Sequence, residues 1–130
     1  MATILVIDDD PSIRMVFKRF LEGHGYSVMV ASDGKEGLAA VAQEVPNLIV
    51  TDVMMPEMDG LEVVLELRKN HSDVPVIAIS GGMRIAPMDF LPMIKKFGAC
   101  RVFYKPVELE ELLGAIREQL GEGGTVPGQA

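Results

Sequence analysis

The sequence predicts an α/β fold in which a parallel sheet is covered by helices on both faces. Short apolar runs of strand length alternate along the chain with amphipathic stretches of helix length. The apolar runs are almost unbroken by polar residues, which is typical of strands buried on both faces of a parallel sheet. With 130 residues, 48% of them hydrophobic and 24% charged, the chain has the size and composition of one globular domain.

The first half of the chain contains three predicted strands and two predicted helices. The strands are predicted at 3–7, 26–31 and 47–51. A helix is predicted at 11–25, because apolar residues recur at helical spacing, Pro11 suits a first turn and glycine closes the stretch. A second helix is predicted at 32–44, beginning at a Ser or Asp cap.

The second half continues the alternation. A third helix is indicated by Leu61, Val64, Leu65 and Leu67. Strands are predicted at 74–80 and 101–104. The last helix is indicated by Leu109, Leu112, Leu113, Ile116 and Leu120. We therefore expect a domain over residues 1–120, followed at 121–130 by a flexible tail or a truncated linker.

Charge and hydropathy exclude some classes of function. The net charge of −7 argues against direct nucleic-acid binding by this chain, since phosphate backbones favour Lys and Arg. The apolar run at the N-terminus is too short for a signal peptide or a membrane span. We expect a cytoplasmic protein that does not bind membranes.

Polar side chains follow or close four of the predicted strands. These side chains are Asp8, Asp9, Asp10, Asp52, Ser80 and Lys105. Ligands of doubly wound sheets bind at the carboxyl ends of the strands, so we expect these residues to converge. Clustered carboxylates repel one another, and a hard divalent cation such as Mg²⁺ relieves that repulsion. Asp can itself be a nucleophile, with Lys and Ser contacting phosphoryl oxygens, so the set predicts phosphoryl transfer onto protein.

Four motifs carry a family resemblance. In order, they are ILVIDDD, LIVTDVMMPEMDGLE, VIAIS and VFYKP. Together they closely resemble the receiver domain of two-component response regulators, of the chemotaxis-regulator type, from residue 2 to about residue 120. The resemblance implies a flavodoxin-like domain whose five-stranded parallel sheet has the order 2-1-3-4-5 and is flanked by five helices.

The resemblance assigns a phosphoacceptor and a metal site. It implies that Asp52 accepts the phosphoryl group in a Mg²⁺-dependent reaction. It further implies that Asp9 binds the metal directly, that Asp8 acts partly through water, and that Asp52 and the backbone carbonyl of Met54 complete the protein ligands. Such a domain is a signalling module that catalyses only its own phosphorylation and dephosphorylation.

The resemblance also implies a switch and partners. Ser80 matches the switch hydroxyl of the family. Lys105 matches the lysine that pairs with the phosphoryl group, and the Lys105–Pro106 bond is expected to be cis. The phosphoryl donor is expected to be a histidine kinase or a histidine phosphotransfer protein. The signal is expected to pass to a downstream protein or to an output domain. A phosphorylation-dependent dimer is a further expectation.

Two features depart from the family pattern. Val102 stands where the family often carries an aromatic ring that turns with the switch hydroxyl, and we hypothesise that Tyr104, on the same face of the strand, takes part of that role. The stretch 81–100 is longer than usual and rich in Met and Pro. It is interpreted either as a helix face with a covering loop or as a remodelled output face that docks a partner.

The acidic residues admit three alternative interpretations. Asp8 and Asp9 could cap the following helix, a role that suits Asp10 better. A phosphatase of the haloacid-dehalogenase type also phosphorylates an Asp, but it needs a second Asp at the position of Met54. A receiver-like module that binds partners without phosphorylation is the remaining alternative.

Overall fold

The structure is a computed structural model that describes residues 2–52, 60–70, 73–80 and 99–121. In chain order its elements are β1 (Thr3–Ile7), α1 (Pro11–Glu22), β2 (Ser27–Ala31), α2 (Gly34–Gln43), β3 (Leu48–Asp52), α3 (Gly60–Lys69), β4 (Val76–Ser80), β5 (Ala99–Tyr104) and α4 (Leu109–Gln119). The stretch 81–98, where a further helix was predicted, lies outside the described residues.

The five strands form one parallel sheet in the order β2-β1-β3-β4-β5, which confirms the predicted fold class and strand order. β3 is the central strand of the sheet, and β1 pairs with it directly, with Ile7 beside Thr51. β3 is buried along its whole length, as its apolar continuity predicts. β2 lies at an edge and is partly exposed.

The apolar side chains divide between the two faces of the sheet. Along β1, Leu5 and Ile7 belong to the cluster that packs against α2 and α3, while Ile4 and Val6 belong to the cluster that packs against α1 and α4. This alternation follows from the period of two along a strand. Apolar burial on both faces fixes the register of the strands, because a slip of one residue would exchange the two faces.

The ends of several elements differ slightly from the predicted ones. α1 ends at Glu22 instead of Gly25, since the chain turns there and Gly25 has a φ of 94°, a conformation that favours glycine. α2 begins at the cap Asp33, whose carboxylate accepts a hydrogen bond from the Glu36 backbone N–H at 2.8 Å. β5 begins earlier than predicted, at Ala99.

α2 approaches β1 closely near the end of the strand. A Cβ added at Gly37 would clash with the Ile7 side chain, which directly precedes Asp8. The absence of a side chain at Gly37 therefore allows the helix to pack against the end of β1. None of the helices within the described ranges is both long and apolar enough to cross a membrane.

Candidate phosphoacceptor and metal site

The carboxyl ends of β1, β3, β4 and β5 meet at one edge of the sheet. The pairing places Asp52 beside Ile79 and Ser80 beside Tyr104, so the ends of neighbouring strands lie level. Asp8 follows β1 directly, and Lys105 follows β5. The sheet thus brings together residues that are up to 97 positions apart in the chain.

Three aspartates form a compact cluster at this edge. One carboxylate oxygen from each of Asp8, Asp9 and Asp52 lies within 4.8 Å of the other two. Asp8 and Asp52 are 2% and 4% exposed, whereas Asp9 is open to solvent. Buried carboxylates are costly unless they are paired, so this cluster needs compensating positive charge.

Lys105 supplies part of that charge. Its ammonium nitrogen donates hydrogen bonds to Asp8 Oδ2 and Asp52 Oδ2, each at 3.2 Å. Burial alone would lower the pKa of this ammonium, but the charges of Asp52 and Asp8 and the hydrogen bonds to them outweigh burial and raise the pKa above its ordinary value. The Lys105 side chain is therefore protonated and positively charged at neutral pH. Its ammonium contacts two of the three carboxylates.

The backbone around Asp8 is held from several directions. The Asp8 N–H donates to the Ala31 carbonyl of β2 at 3.1 Å, and Asp8 Oδ1 accepts from the Asp10 N–H at 2.9 Å. The Asp8 carbonyl accepts a hydrogen bond from Arg14 Nη1 at 2.7 Å. The site therefore includes a positively charged residue of α1 that the strand-end pattern did not reveal.

Asp10 has a different role from its two neighbours. Its carboxylate caps α1, accepting a hydrogen bond from the Ser12 N–H at 2.8 Å. It does not belong to the carboxylate cluster found among the described residues. The interpretation of Asp10 as a helix cap is confirmed.

The donor set fits a hard divalent cation. Asp8, Asp9 and Asp52 offer carboxylate oxygens only, which are the ligands that Mg²⁺ prefers. Three carboxylates leave coordination positions for water and for phosphoryl oxygens. The cluster therefore agrees with the metal set expected from the sequence, apart from the Met54 carbonyl, which lies outside the described residues.

The remaining predicted site residues are placed as follows. The backbone of Ser80 ends β4 at the same edge of the sheet, while its side chain lies outside what the structure describes. Val102 packs against the cluster on the α2 and α3 face, and Phe103 against the opposite one. Tyr104 is 57% exposed. The Lys105–Pro106 bond is cis, as expected.

Comparison with known proteins decides the family. Residues 4–117 match the family described as the response regulator receiver domain. The chain belongs to this family. Receiver domains act in two-component signalling based on phosphorylation, and the Asp phosphatase interpretation is thereby set aside.

Curated relatives of this receiver domain are response regulators. It is 40% identical over 121 residues to the response regulator MprA of Mycolicibacterium vanbaalenii, and 41% identical to MprA of Mycobacterium leprae. These matches cover 90% of the chain and 49% and 50% of the relatives, so the chain spans about half the length of the curated relatives it matches.

Solved structures agree with the fold. The receiver domain of the Francisella response regulator 1452 superposes with a TM-score of 0.84 at 30% identity, covering 93% of this chain and 98% of that one. A CheY-like receiver domain protein from Methanospirillum hungatei gives a TM-score of 0.84 at 31% identity, with 96% and 98% covered. The receiver fold is thus shared over nearly the whole domain.

Proposed function

We propose that this receiver domain accepts a phosphoryl group on Asp52, with Mg²⁺ held by Asp8, Asp9 and Asp52. The observation that carries the proposal is the convergence of three carboxylates and the Lys105 ammonium at one edge of the sheet. Asp8 and Asp52 are both nearly buried and both contact the ammonium. Asp52 is proposed as the phosphoacceptor because its position in the motif LIVTDVMMPEMDGLE matches that of the phosphoacceptor in the family.

The proposed reaction is a nucleophilic displacement at phosphorus. A carboxylate oxygen of Asp52 attacks the phosphorus of an N-phosphorylated histidine, and the P–N bond breaks as the P–O bond forms. The released histidine nitrogen keeps the electron pair of the broken bond and takes up a proton from water. The product is an acyl phosphate on Asp52.

The residues around Asp52 have separate tasks in this proposal. Lys105 offsets the negative charge that accumulates when an anionic phosphoryl group approaches a carboxylate. Bound Mg²⁺ supplies further positive charge to the phosphoryl oxygens. Ser80, at the end of β4, is proposed to donate a hydrogen bond to the phosphoryl group, and Tyr104 to respond on the neighbouring strand.

The proposed partners follow from the family. The phosphoryl donor is a histidine kinase or a histidine phosphotransfer protein. The signal passes to a downstream protein or to an output domain, with a phosphorylation-dependent dimer as one form of response. The cytoplasmic location expected from the sequence stays a prediction.

Intact-mass spectrometry tests the phosphoacceptor. The protein is incubated with acetyl phosphate, with Mg²⁺ or with EDTA, and we expect one added phosphoryl group only with Mg²⁺. Asp52→Asn should gain none. Asp33→Asn is the matched control, since Asp33 caps α2 outside the cluster and Asn caps helices equally well.

Two results would contradict the proposal. If Asp52→Asn were phosphorylated as fully as the wild type, another residue would have to be the phosphoacceptor. No phosphorylation of the wild type, either by acetyl phosphate or by a histidine kinase, would favour a receiver-like module that binds partners without phosphorylation.

A further inference from the structure

Arg14 connects α1 to the acidic segment that precedes the helix. Its side chain reaches back from the first turn of α1, and Nη1 donates a hydrogen bond to the Asp8 carbonyl at 2.7 Å. Its backbone N–H donates to the Asp10 carbonyl at 3.1 Å. One residue therefore holds the chain on both sides of Asp9.

The contact with the Asp8 carbonyl bears directly on Asp9. The Asp8 carbonyl and the Asp9 amide belong to one planar peptide unit, so a bond that fixes the oxygen also restricts how the chain enters Asp9. On the other side of Asp9, the Asp10 N–H belongs to the peptide unit that joins Asp9 to Asp10. This N–H donates a hydrogen bond to Asp8 Oδ1 at 2.9 Å. Asp9 is exposed, and fixing the backbone on either side of it narrows the positions open to its carboxylate.

Fixing the Asp9 carboxylate should favour Mg²⁺ binding, whereas the positive charge of Arg14 should oppose it. A guanidinium is positive at every accessible pH, and a positive charge beside a carboxylate cluster repels Mg²⁺. If charge were its main influence, removing Arg14 would strengthen Mg²⁺ binding. If positioning were its main influence, removing Arg14 would weaken Mg²⁺ binding.

We infer that Arg14 is a positioning residue of the metal site, holding the backbone between Asp8 and Asp10 so that the Asp9 carboxylate faces those of Asp8 and Asp52. The inference rests on the proposed function, since it requires that the cluster binds Mg²⁺. Hydrogen-bond partners that orient metal ligands commonly change metal affinity by about 10–100-fold when removed. We place Arg14→Ala near the lower end of that range, because one carbonyl contact is lost.

The test is a titration of ¹⁵N-labelled protein with MgCl₂ at constant ionic strength, followed by NMR. Shifts of the Asp9 and Asp10 amides give the dissociation constant, and the readout is binding, not activity. Arg14→Ala should bind Mg²⁺ roughly ten-fold more weakly than the wild type. Arg14→Lys, which keeps the charge and one donor group, should fall between the two.

Lys18→Ala is the matched control for charge. Lys18 lies on the same helix, is exposed, and pairs with Glu22 at 2.6 Å. The variant also loses one positive charge but no contact with the acidic segment, so its affinity should stay within about two-fold of the wild type. Unfolding of each variant without Mg²⁺ shows whether the fold is intact, since a purely structural role would lower stability without changing the affinity of the folded protein.

The possible failures are distinguishable. If the wild type shows no Mg²⁺-dependent shift, the proposed metal site fails, and the role of Arg14 fails with it. If the wild type binds Mg²⁺ and Arg14→Ala binds it equally well or more tightly, the metal site stands and the positioning role is overturned.

Discussion

The Lys105 ammonium nitrogen lies 3.2 Å from Asp52 Oδ2 and equally far from Asp8 Oδ2. One cation is therefore shared by two nearly buried carboxylates, with a third carboxylate, that of Asp9, close by. The carboxylates still carry more charge than the ammonium offsets. The site has excess negative charge, which favours a cation but opposes folding when no cation is bound.

The first prediction concerns alkaline pH. The pKa of Lys105 is raised in the folded protein, so its stabilising contribution is complete below the lysine pKa of the unfolded chain, about 10.4, and is lost as pH rises through the higher folded value. Urea unfolding without Mg²⁺ should show the wild type to be more stable than Lys105→Met, with a difference that shrinks above about pH 10.

Lys18→Met is the control for the loss of one lysine. Lys18 and Glu22 form an exposed pair of the i,i+4 type, which is worth about 0.3–0.5 kcal/mol. Its effect on the free energy of unfolding should be small across the range. A Lys105→Met difference that stays constant up to pH 12 would show that the ion pairs do not cause the raised stability.

The second prediction separates Asp9 from Asp8. Asp9→Asn removes repulsion from the cluster while keeping the Lys105 contacts, so without Mg²⁺ it should raise the free energy of unfolding by about 0.5–1 kcal/mol. Asp8→Asn relieves the same repulsion but weakens the contact with Lys105, so it should gain less. Chemical denaturation measures both.

Adding Mg²⁺ should reverse the order of the wild type and Asp9→Asn. A ligand that binds only the folded state stabilises it according to its concentration relative to the dissociation constant. The wild type should therefore gain stability as MgCl₂ is raised, and Asp9→Asn should gain little. If Mg²⁺ raised the free energy of unfolding equally in both proteins, Asp9 would not be a ligand of the metal.

Much of the fold and of the site could be predicted from the sequence. Strands such as Leu48–Asp52 are continuous apolar runs, and burial on both faces in a parallel sheet explains that pattern. Once the strands are placed, Asp8, Asp52 and Lys105 must lie at the same edge, because parallel strands have their carboxyl ends together. The order of the strands came from the family resemblance, since several orders satisfy the same pattern.

Arg14 was not predicted, for a physical reason. Helical periodicity marks it as a polar residue of α1, but periodicity does not show that a long side chain turns back towards the preceding loop. A basic residue in the first turn of a helix is unfavourable with respect to the helix dipole, and this was the available signal. The end of α1 was missed because Gly23 and Gly25 both suit a helix end.

The third prediction compares two glycines within helices. Gly37→Ala should destabilise the protein by about 1–3 kcal/mol, because the added Cβ meets the Ile7 side chain between α2 and β1. Gly114→Ala should stabilise it by up to about 1 kcal/mol, since no atom lies within 4 Å of the added Cβ and Ala is the better helix former. Thermal or urea unfolding measures both.

The same pair tests whether packing near Ile7 affects the site. Ile7 precedes Asp8, so a shift of Ile7 in Gly37→Ala should also weaken Mg²⁺ binding, whereas Gly114→Ala should bind Mg²⁺ like the wild type. If Gly37→Ala were as stable as the wild type, the contact between α2 and β1 would have to relax without cost.

The last prediction concerns Tyr104 as part of the switch. The chain has no Trp and two Tyr, so its intrinsic fluorescence comes from Tyr26, which is 7% exposed, and Tyr104, which is 57% exposed. Acrylamide should therefore quench mainly Tyr104. If Tyr104 turns inward when Asp52 is phosphorylated, treatment with acetyl phosphate and Mg²⁺ should reduce the quenching.

Two variants make this measurement specific. Asp52→Asn should show no change on treatment, which ties the effect to the phosphoacceptor. Tyr104→Phe keeps the ring but leaves Tyr26 as the single tyrosine, so its weak quenching should be the same before and after treatment. Because Tyr104 is exposed, Tyr104→Ala should change the free energy of unfolding by less than about 0.5 kcal/mol, and any loss of phosphorylation-dependent partner binding would then reflect the switch and not the fold. Unchanged quenching of the phosphorylated wild type, together with unchanged partner binding by Tyr104→Ala, would exclude Tyr104 from the switch.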